Sequence, residues 1–444
     1  MSALPEGWVS LTLEEVGVIT TGNTPPTKQP DNYSGNIPFV KPGDLDTQQP
    51  ITNTEQTLSE QGVIQARVLR PGAVLVSCIG NLGKIGFAGV PLATNQQINS
   101  IEFEPSLVED RYGYHYCKTL RPWMEEQASA TTVTILNKGK FSKAPFVLAP
   151  LAEQKRIADK LDALLARVDG CRARLARVPA ILKRFRQAVL AAATSGALTA
   201  EWRDEQQTSI NDWQHLVFGE ACNEITVGFV GKMADQYRDQ GIPFLRSLNV
   251  RPFRFDSNNL QFISPEFHKQ IGKSKLRPGD VVVVRTGAPG QSCVIPHDLK
   301  EANCSDLVIV RPGKNLVSEY ACIFINSSQS QEFVRSEIVG VAQAHFNVGS
   351  MKVTPLSLPP LEEQHEIVRR VETLFGYADR LEARYTAALT RVERLTPALL
   401  AKAFRGELVA QDSADEPAGV LLERVQAARG AMGESRARRR PGID

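Results

Sequence analysis

The feature that most constrains the fold of this chain is an internal duplication. Residues 148–154 (LAPLAEQ) are matched by residues 358–364 (LPPLEEQ), which sets an offset of 210 residues between Gln154 and Gln364. Without a gap, the same offset relates residues 161–165 to 371–375 and residues 196–198 to 406–408. Self-similarity at a fixed period indicates a fold built from repeated units. At 444 residues the chain is also too long for one ordinary domain.

The two copies match more loosely upstream of this motif. Residues 7–8 (GW) correspond to 212–213 (DW), residues 37–40 (IPFV) to 242–245 (IPFL), and residues 69–72 (LRPG) to 276–279 (LRPG). Each copy therefore has a divergent front section and a closely matched back section. This contrast indicates that the two sections have different tasks.

The back sections predict two long helices, each with an apolar residue every three or four positions, as in a coiled-coil seam. The first seam consists of Leu161, Leu164, Val168, Cys171, Leu175, Val178, Leu182, Phe185 and Val189. The second consists of Val371, Leu374, Ala378, Leu381, Tyr385, Ala388, Val392, Leu395 and Leu399. Seams of nearly equal length can pair along their full extent. Pro179 and Pro397 each remove a backbone donor, and we expect the helices to bend there.

The front sections predict short strands separated by Pro/Gly turns. The clearest strands are residues 37–40, 73–78, 98–103, 281–285 and 307–310. We therefore predict an α/β (α+β) protein whose two domains have irregular β cores and whose two long helices form an antiparallel coiled coil with pseudo-two-fold symmetry. The predicted segments are domain 1 at 1–150, helix 1 at 151–203, domain 2 at 204–360, helix 2 at 361–410 and a flexible tail at 411–444.

Antiparallel pairing would place one globular domain at each end of the helix pair. From residue 161 to 189 the seam would span about 42 Å, comparable with the roughly 34–36 Å between half-sites one DNA turn apart. The net charge is only +2, but residues 171–186 carry six cations and no acid: Arg172, Arg174, Arg177, Lys183, Arg184 and Arg186. Three interpretations of these cations are open: contact with DNA phosphates, a solvated helix surface, or contact with an acidic protein partner.

Composition and single motifs exclude several classes of protein. The N-terminus lacks the basic and apolar regions of a secretion signal, and no apolar run reaches the roughly 18 residues of a membrane span, so we expect a cytoplasmic protein. The seven cysteines are scattered singly, and we expect reduced, mostly buried thiols. Cys293, His297 and Cys304 lack a fourth metal ligand. Residues 80–84 (GNLGK) lack the spacing of a phosphate-binding loop.

The motifs in combination resemble one family. The Pro-Leu-x-Glu-Gln segments at 150–154 and 360–364 each close an α/β section and open a long helix. Further similar segments are residues 21–25 (TGNTP), 37–40 (IPFV), 80–84 (GNLGK) and 93–97 (ATNQQ). Over roughly residues 4–410, the chain resembles specificity subunits of Type I restriction-modification enzymes.

This resemblance implies a division of labour. Each front domain would read one half of a bipartite, asymmetric site in double-stranded DNA, and the helices would set the spacing and dock two methyltransferase subunits. Those subunits would bring S-adenosylmethionine to adenine N6, and motor-nuclease subunits, which use ATP and Mg, would restrict unmodified DNA. The chain itself would have no catalytic residues, no metal and no cofactor.

Candidate DNA-reading residues follow from the chemistry of base edges, because Arg pairs with guanine and Asn or Gln with adenine through two hydrogen bonds. In the first domain they are Lys41, Asn81, Lys84, Asn95, Gln96 and Lys138. In the second domain they are Arg246, Asn249, Arg251, Arg254, Arg285, Thr286, Asn303, His345 and Asn347.

Two other functions are weighed against this one. A fused methyltransferase would need an Asn/Asp-Pro-Pro-aromatic tetrapeptide, which the sequence lacks. A coiled-coil scaffold that joins two protein-binding modules would need no DNA contact. The family resemblance and the clustered polar residues favour DNA recognition over that scaffold.

Overall fold

The computed structural model describes residues 4–47, 49–128, 134–338 and 346–438, with the backbone alone for residue 338 and residues 429–438. The chain forms two units, one of Met1–Leu175 with Ala388–Asp444 and the other of Ala176–Ala387. The elements up to the first long helices are β1 (Val9–Thr12), α1 (Leu13–Val16), β2 (Gly17–Thr21), β3 (Tyr33–Val40), β4 (Thr57–Leu58), α2 (Glu60–Ile64), β5 (Val68–Leu69), β6 (Val74–Ser77), β7 (Ile85–Phe87), β8 (Leu92–Thr94), β9 (Ile98–Phe103), α3 (Asp110–Cys117), α4 (Arg121–Gln127), α5 (Lys138–Ser142), β10 (Pro145–Leu148), α6 (Leu151–Leu175), α7 (Val178–Thr194) and α8 (Ala200–Gln206).

The remaining elements repeat this pattern. They are β11 (Gln214–Val217), α9 (Phe218–Ala221), β12 (Cys222–Val227), β13 (Tyr237–Arg238), β14 (Ile242–Leu245), β15 (Val250–Arg251), β16 (Arg254–Phe255), β17 (Gln261–Ile263), α10 (Pro265–Gln270), β18 (Lys275–Leu276), β19 (Val281–Val284), β20 (Ser292–Val294), β21 (Ala302–Cys304), β22 (Leu307–Pro312), α11 (Ser318–Ile325), α12 (Ser328–Ile338), α13 (Val348–Val353), β23 (Pro355–Leu358), α14 (Leu361–Ala403) and α15 (Ala418–Arg438). Among the described helices, none combines the length and apolar character needed to cross a membrane.

The two front sections share one sheet frame, which confirms the predicted duplication. In the first unit an antiparallel sheet has the strand order β2-β9-β6-β7, and in the second the order is β12-β22-β19-β20. A second sheet in each unit contains one parallel pair, β3 with β8 and β14 with β21. The inner strands are apolar on both faces, as in the four buried valines of β19, and this fits strands covered by helices. All five predicted strands are present.

The long helices begin at Leu151 and Leu361, directly after the repeated motif. The first is interrupted: α6 ends at Leu175, and α7 starts at Val178 with Pro179 in its first turn, where a missing N–H does no harm. The second helix is continuous, since α14 includes Pro397.

Within each unit, the paired helix segments run antiparallel. In the first unit Arg172 donates to Thr396 Oγ1 at 3.1 Å, while Arg156, further towards the start of α6, reaches Asp415 at 2.7 Å. In the second unit Arg186 contacts Asp379 at 2.7 Å, and Arg370 donates to the Leu198 carbonyl at 2.8 Å. Later residues of the first segment thus contact earlier residues of the second, which confirms the predicted antiparallel pairing.

The seam is narrower than its periodicity predicts. Leu161, Val168, Leu182 and Val189 are buried on the first helix, and Val371 and Ala378 on the second. Cys171 and Phe185 are exposed instead, and so are Leu381 and Leu395. Two helices alone cannot cover an apolar stripe that extends around the flank of each, so exposed residues are interspersed with buried ones along each seam.

The glutamine of the repeated motif ties the start of each helix to its domain. Gln154 donates from Nε2 to the carbonyls of Leu107 and Ala149, both at 2.8 Å, and accepts from the Glu109 N–H at 2.9 Å. Gln364 makes the equivalent bonds to Asn315, Pro359 and Val317, each at 2.8 Å. Both side chains are fully buried, so a buried amide with three partners fixes each junction between domain and helix.

The preceding glutamate accepts a hydrogen bond from a buried tryptophan in each copy. Trp8 Nε1 donates to Glu153 at 2.9 Å, and Trp213 Nε1 donates to Glu363 at 2.8 Å. The copies differ at the second carboxylate oxygen. In Glu363 this oxygen accepts hydrogen bonds from Thr199 Oγ1 and Arg203 Nη1.

The first copy has no counterpart of this ion pair. By the 210-residue offset, Val409 and Ser413 occupy the positions of Thr199 and Arg203. The second oxygen of Glu153, Oε1, is buried and has no hydrogen-bond partner. Burial raises the pKa of the Glu153 carboxyl, because a charged group loses its hydration there.

The segment predicted to be a flexible tail contains α15, and this corrects the prediction for its start. Ala418 and Leu421 are buried in the core of the first unit, and the Ala418 N–H donates to the Gly7 carbonyl at 2.8 Å. Apolar burial together with the Arg156–Asp415 ion pair holds this segment against the first domain.

We expect the two motif glutamates to respond differently to the same substitution. Glu363→Gln should lower the free energy of unfolding by about 3 kcal/mol, because it removes the counter-charge of the buried Arg203. Glu153→Gln should change it by no more than about 1 kcal/mol, because the amide oxygen still accepts from Trp8. Urea unfolding of both variants beside the unchanged chain measures the difference, and equal losses would contradict it.

The pH dependence of unfolding gives a separate test of Glu153. Its folded-state pKa is raised, so its stabilisation is fully present below the unfolded pKa and is lost as pH rises through the folded pKa. Glu153→Gln should therefore gain stability relative to the unchanged chain as pH rises from 4 to 8. A constant difference over this range would show that the carboxyl is not desolvated.

Candidate nucleic-acid interface

Five segments of the first domain meet at the ends of its strands, and we name them the first loop cluster: residues 22–24, 41–46, 77–84, 94–97 and 134–138. Backbone hydrogen bonds join them. The Asn95 N–H donates to Val40 at 3.1 Å, the Cys78 N–H to Gln97 at 2.8 Å and the Gly80 N–H to Thr134 at 2.8 Å. The parallel pairing of β3 with β8 brings Lys41 and Asn95 to one edge, since both strands end there.

Four of the six residues predicted for the first domain are exposed in this cluster: Lys41, Asn81, Gln96 and Lys138. Lys84 is half-buried, and its ammonium lies 3.4 Å from the Pro42 carbonyl. Gln96 accepts a hydrogen bond from Thr24, a residue that the sequence analysis did not select. The structure therefore brings cations and amides from different loops to one end of the domain.

Asn95 does not fit the prediction. Its side chain is buried, donates to Gln97 Oε1 at 2.9 Å and accepts from the Gln97 N–H at 3.1 Å. Such a bond to the backbone two residues ahead forms a turn. Asn95 therefore shapes the loop that presents Gln96 and has no free edge for a base.

The second domain has an equivalent set, the second loop cluster: residues 228–230, 246–249, 285–290, 304–306 and 346–347, with the β15–β16 hairpin beside them. The Ser305 N–H donates to Leu245 at 3.0 Å, and the Phe229 N–H donates to Cys304 at 2.8 Å. The first of these bonds corresponds to that of Asn95 with Val40, so both clusters are built on the same frame.

Three arginines of the second cluster lie at its surface. Arg251 and Arg254 are exposed partners on the β15–β16 hairpin. Arg246 is half-buried and donates from Nη2 to the Asn259 carbonyl at 2.7 Å. The backbone N–H of Asn258 lowers the pKa of the nearby Asp256, helped by Arg254 and Arg251. Asp256 is therefore ionised at neutral pH, and it lies 3.6 Å from Arg251 Nε.

Asn249 and Asn303 are also corrected. Both are fully buried. Asn249 accepts from the Arg246 N–H at 3.0 Å and donates to Asp256 and Asn258. Asn303 donates to Ile271 at 3.3 Å and accepts from the Cys304 N–H at 2.9 Å. Their amides satisfy buried backbone groups, so their role in this fold is structural.

Two more predicted residues of the second domain contact Asp306. Arg285 Nη1 lies 3.0 Å from this carboxylate, and Thr286 donates to its other oxygen. Asn347 is exposed and caps α13 by accepting from the Ser350 N–H at 3.0 Å. His345 lies outside the described residues.

Asp306 is the clearest residue that the sequence analysis missed. It has a positive φ of 52° and follows Ser305 as Gln96 follows Asn95. Aligning the two copies at 210 residues also pairs Asp306 with Gln96, and this signal was available from the sequence. A carboxylate accepts hydrogen bonds only, so it suits the amino group of cytosine, whereas an amide suits adenine.

A cavity of about 1100 Å³ in the first unit was not predicted. In its wall His115 Nε2 lies 2.6 Å from Asp162, and burial lowers the pKa of His115. Arg111 and Arg172 in the same wall pair with Asp162 and Asp169. Both cations are therefore neutralised by acids of the same unit.

Two of the six predicted helix cations are neutralised within the chain. Arg172 pairs with Asp169, and Arg186 with Asp379 and Glu382. The other four are exposed, namely Arg174, Arg177, Lys183 and Arg184. The cationic surface of the first helix is thus smaller than its sequence predicts.

The two units share one arrangement of strands but carry loops with different polar side chains. This geometry defines a class of protein, a duplicated recognition protein. The family described as the Type I restriction modification DNA specificity domain matches residues 5–179 and 235–391. The chain belongs to this family. The predicted specificity subunit is thereby confirmed over the coiled-coil scaffold.

Individual relatives agree with this assignment. The chain is 32% identical to the EcoBI specificity subunit of Escherichia coli, with 99% of this chain and 96% of the relative covered. It is 31% identical to the EcoKI specificity subunit of Escherichia coli strain K12, with 98% of each covered. A chain from a structure on complex assembly of the type I R-M system has a similar fold, with a TM-score of 0.72, 21% identity, and 92% of this chain and all 100% of that chain covered.

We expect Asn249 and Asn81 to differ in what their replacement changes. Asn249→Ala should lower the free energy of unfolding by about 2–3 kcal/mol, because buried backbone groups lose their partners. Asn81→Ala, at an exposed position, should change it by less than about 0.5 kcal/mol. Urea unfolding measures both variants. A loss for Asn249→Ala as small as that for Asn81→Ala would contradict the structural role.

Proposed function

We propose that this chain is the non-catalytic specificity subunit of a Type I restriction-modification complex and recognises a bipartite, asymmetric DNA site. The first loop cluster reads one half-site and the second loop cluster reads the other. One observation carries this proposal: equivalent backbone positions hold different chemistry in the two clusters. Lys41 corresponds to Arg246, and Gln96 corresponds to Asp306. Two different sets of donors and acceptors recognise two different base sequences.

In this proposal the long helices set the length of the unread gap between the half-sites. They are α6, α7 and the 43-residue α14. The four exposed cations of the first helix lie near phosphates over this gap, where they add affinity without reading sequence. Because such contacts release counterions, salt weakens them at every sequence alike.

The partners we propose are two methyltransferase subunits, which supply S-adenosylmethionine, and motor-nuclease subunits, which use ATP and Mg. The assembly acts in the cytoplasm. The docking surface for the methyltransferase subunits is an exposed apolar patch on α7 and α14, in which Phe185 and Leu381 belong to the predicted seams. It is here named the spacer stripe: Ile181, Phe185, Tyr377 and Leu381. These side chains are 59%, 37%, 55% and 51% exposed, respectively.

The spacer stripe has the geometry of a helix-docking surface. Ile181 and Phe185 lie one turn apart on α7, and Tyr377 and Leu381 lie one turn apart on α14. Arg186 bridges α7 to Asp379 and Glu382, so the two helices are adjacent at this level. In an antiparallel pair, residues on the same flank of each seam face the same side. An apolar helix of a partner can therefore cover both pairs at once.

We expect the double variant Phe185→Ser/Leu381→Ser to weaken assembly with the neighbouring methyltransferase at least tenfold, because two apolar side chains no longer lose their hydration on docking. Its unfolding midpoint should stay close to that of the unchanged chain, since both residues are already exposed. Calorimetric titration of purified subunits measures the affinity. Val353→Ser is the matched control, because Val353 is 55% exposed but lies on α13. Equal weakening by the control would exclude the spacer stripe as the docking surface.

The function itself is tested by mapping methylated adenines in cells that express this chain with its methyltransferase. We expect a two-part motif that disappears when only this chain is absent. Exchanging residues 204–360 for the corresponding domain of a relative should change one half of the motif and preserve the other. If both halves change, the two clusters do not read independently.

A further inference from the structure

Two of the most exposed apolar side chains of this protein lie in the second loop cluster. Val230 is 69% exposed and Leu248 is 57% exposed. Val230 follows β12, and Leu248 lies in the short turn Ser247–Asn249 after β14. An exposed valine or leucine at the tip of a polar loop gains no free energy from burial unless a ligand or partner covers it.

The backbone around both residues is held firmly. Phe229 packs edge to face on Phe267, with ring centroids 5.5 Å apart, and Asn249 fixes the turn that carries Leu248 by its three buried bonds. The two loops are joined through β21, where Cys304 accepts from Phe229 and Ser305 donates to Leu245. The apolar tips therefore stand at defined positions on one edge of the domain.

The surroundings of these tips indicate what covers them. Arg246, Arg251 and Arg254 lie in the turn and hairpin that flank Leu248. Val230 borders a recess of about 330 Å³ that has Ile271 in its wall and Gln270 and the exposed Lys273 beside it. An apolar tip among cations and an amide fits a polyanion that also displays a small apolar group.

In duplex DNA, the major-groove edge of a base pair displays one such group, the C5-methyl of thymine. We propose that Val230 and Leu248 recognise thymine methyl groups in the half-site that the second domain reads. This inference rests on the proposed function and makes it more specific. The arginines attract the polyanionic DNA, and the apolar tips distinguish thymine from cytosine.

Deoxyuridine tests the proposal, because it keeps the base pairing of thymidine and lacks only the methyl group. Once the methylation motif is mapped, duplexes are made with each thymidine of the second half-site replaced in turn, on either strand. Binding of the assembled methyltransferase complex should weaken about three- to fivefold at one or two positions, the effect of exposing one methyl group. Deoxyuridine in the unread gap is the control for the DNA.

Val230→Ala and Leu248→Ala identify the side chains responsible. Each variant should bind the thymidine duplex more weakly than the unchanged chain and should lose the deoxyuridine effect at one position. Val353→Ala, at an exposed site on α13, is the matched control and should retain the effect at every position. This coupling between protein variant and base analogue distinguishes methyl recognition from a loss of stability.

The outcomes separate this inference from the function on which it rests. A complex that binds the mapped site equally well with deoxyuridine at every position overturns methyl recognition and leaves the specificity role intact. A deoxyuridine effect that persists unchanged in both variants overturns the assignment to Val230 and Leu248. Variants that lose the methyltransferase instead of DNA affinity show that the tips contact a protein. Absence of any two-part methylation motif contradicts the proposed function itself.

Discussion

The junction between each domain and its helix depends on one buried glutamine. Gln154 and Gln364 each satisfy three backbone groups that would otherwise be buried without partners. An unmet donor or acceptor in a protein interior costs on the order of 1–3 kcal/mol, so this side chain strongly favours one orientation of the helix start. The glutamine thereby holds the start of each long helix against its own domain.

Duplication explains both the regularity of this frame and its exceptions. The glutamine and the Glu–Trp bond are the same in both copies. Arg203 and Thr199, which complete the second site, have no counterpart in the first. Two copies in one chain can diverge separately, because each packs into its own unit. The first copy tolerates a desolvated carboxylate oxygen on Glu153, and the cost is limited because this group can bind a proton.

The sequence predicted the repeat, the strands and the helix starts better than it predicted which side chains are exposed. The offset of 210 residues identified the repeat and the helix starts, and Pro/Gly turns bounded the strands, because both signals depend on local chemistry. Burial of Asn95, Asn249 and Asn303 was not predictable, since residue type alone does not distinguish an asparagine that bonds buried backbone groups from one that faces solvent. The exposed residues of the seam were missed for a related reason: periodicity shows which face of a helix is apolar but not how much of that face a partner covers.

The misplaced asparagines explain how recognition can vary on a constant fold. In both clusters the loop positions are set by backbone bonds, such as those of Asn95 with Val40 and Ser305 with Leu245, and by buried amides. The side chains at the tips add further contacts, since Gln96 accepts from Thr24 in one copy and Asp306 accepts from Arg285 and Thr286 in the other. In the function proposed for these loops, a change at a tip alters which base is preferred while the backbone bonds hold the loop in place. Separating the residues that hold a loop from those that contact a ligand is what allows two copies of one domain to recognise different sequences.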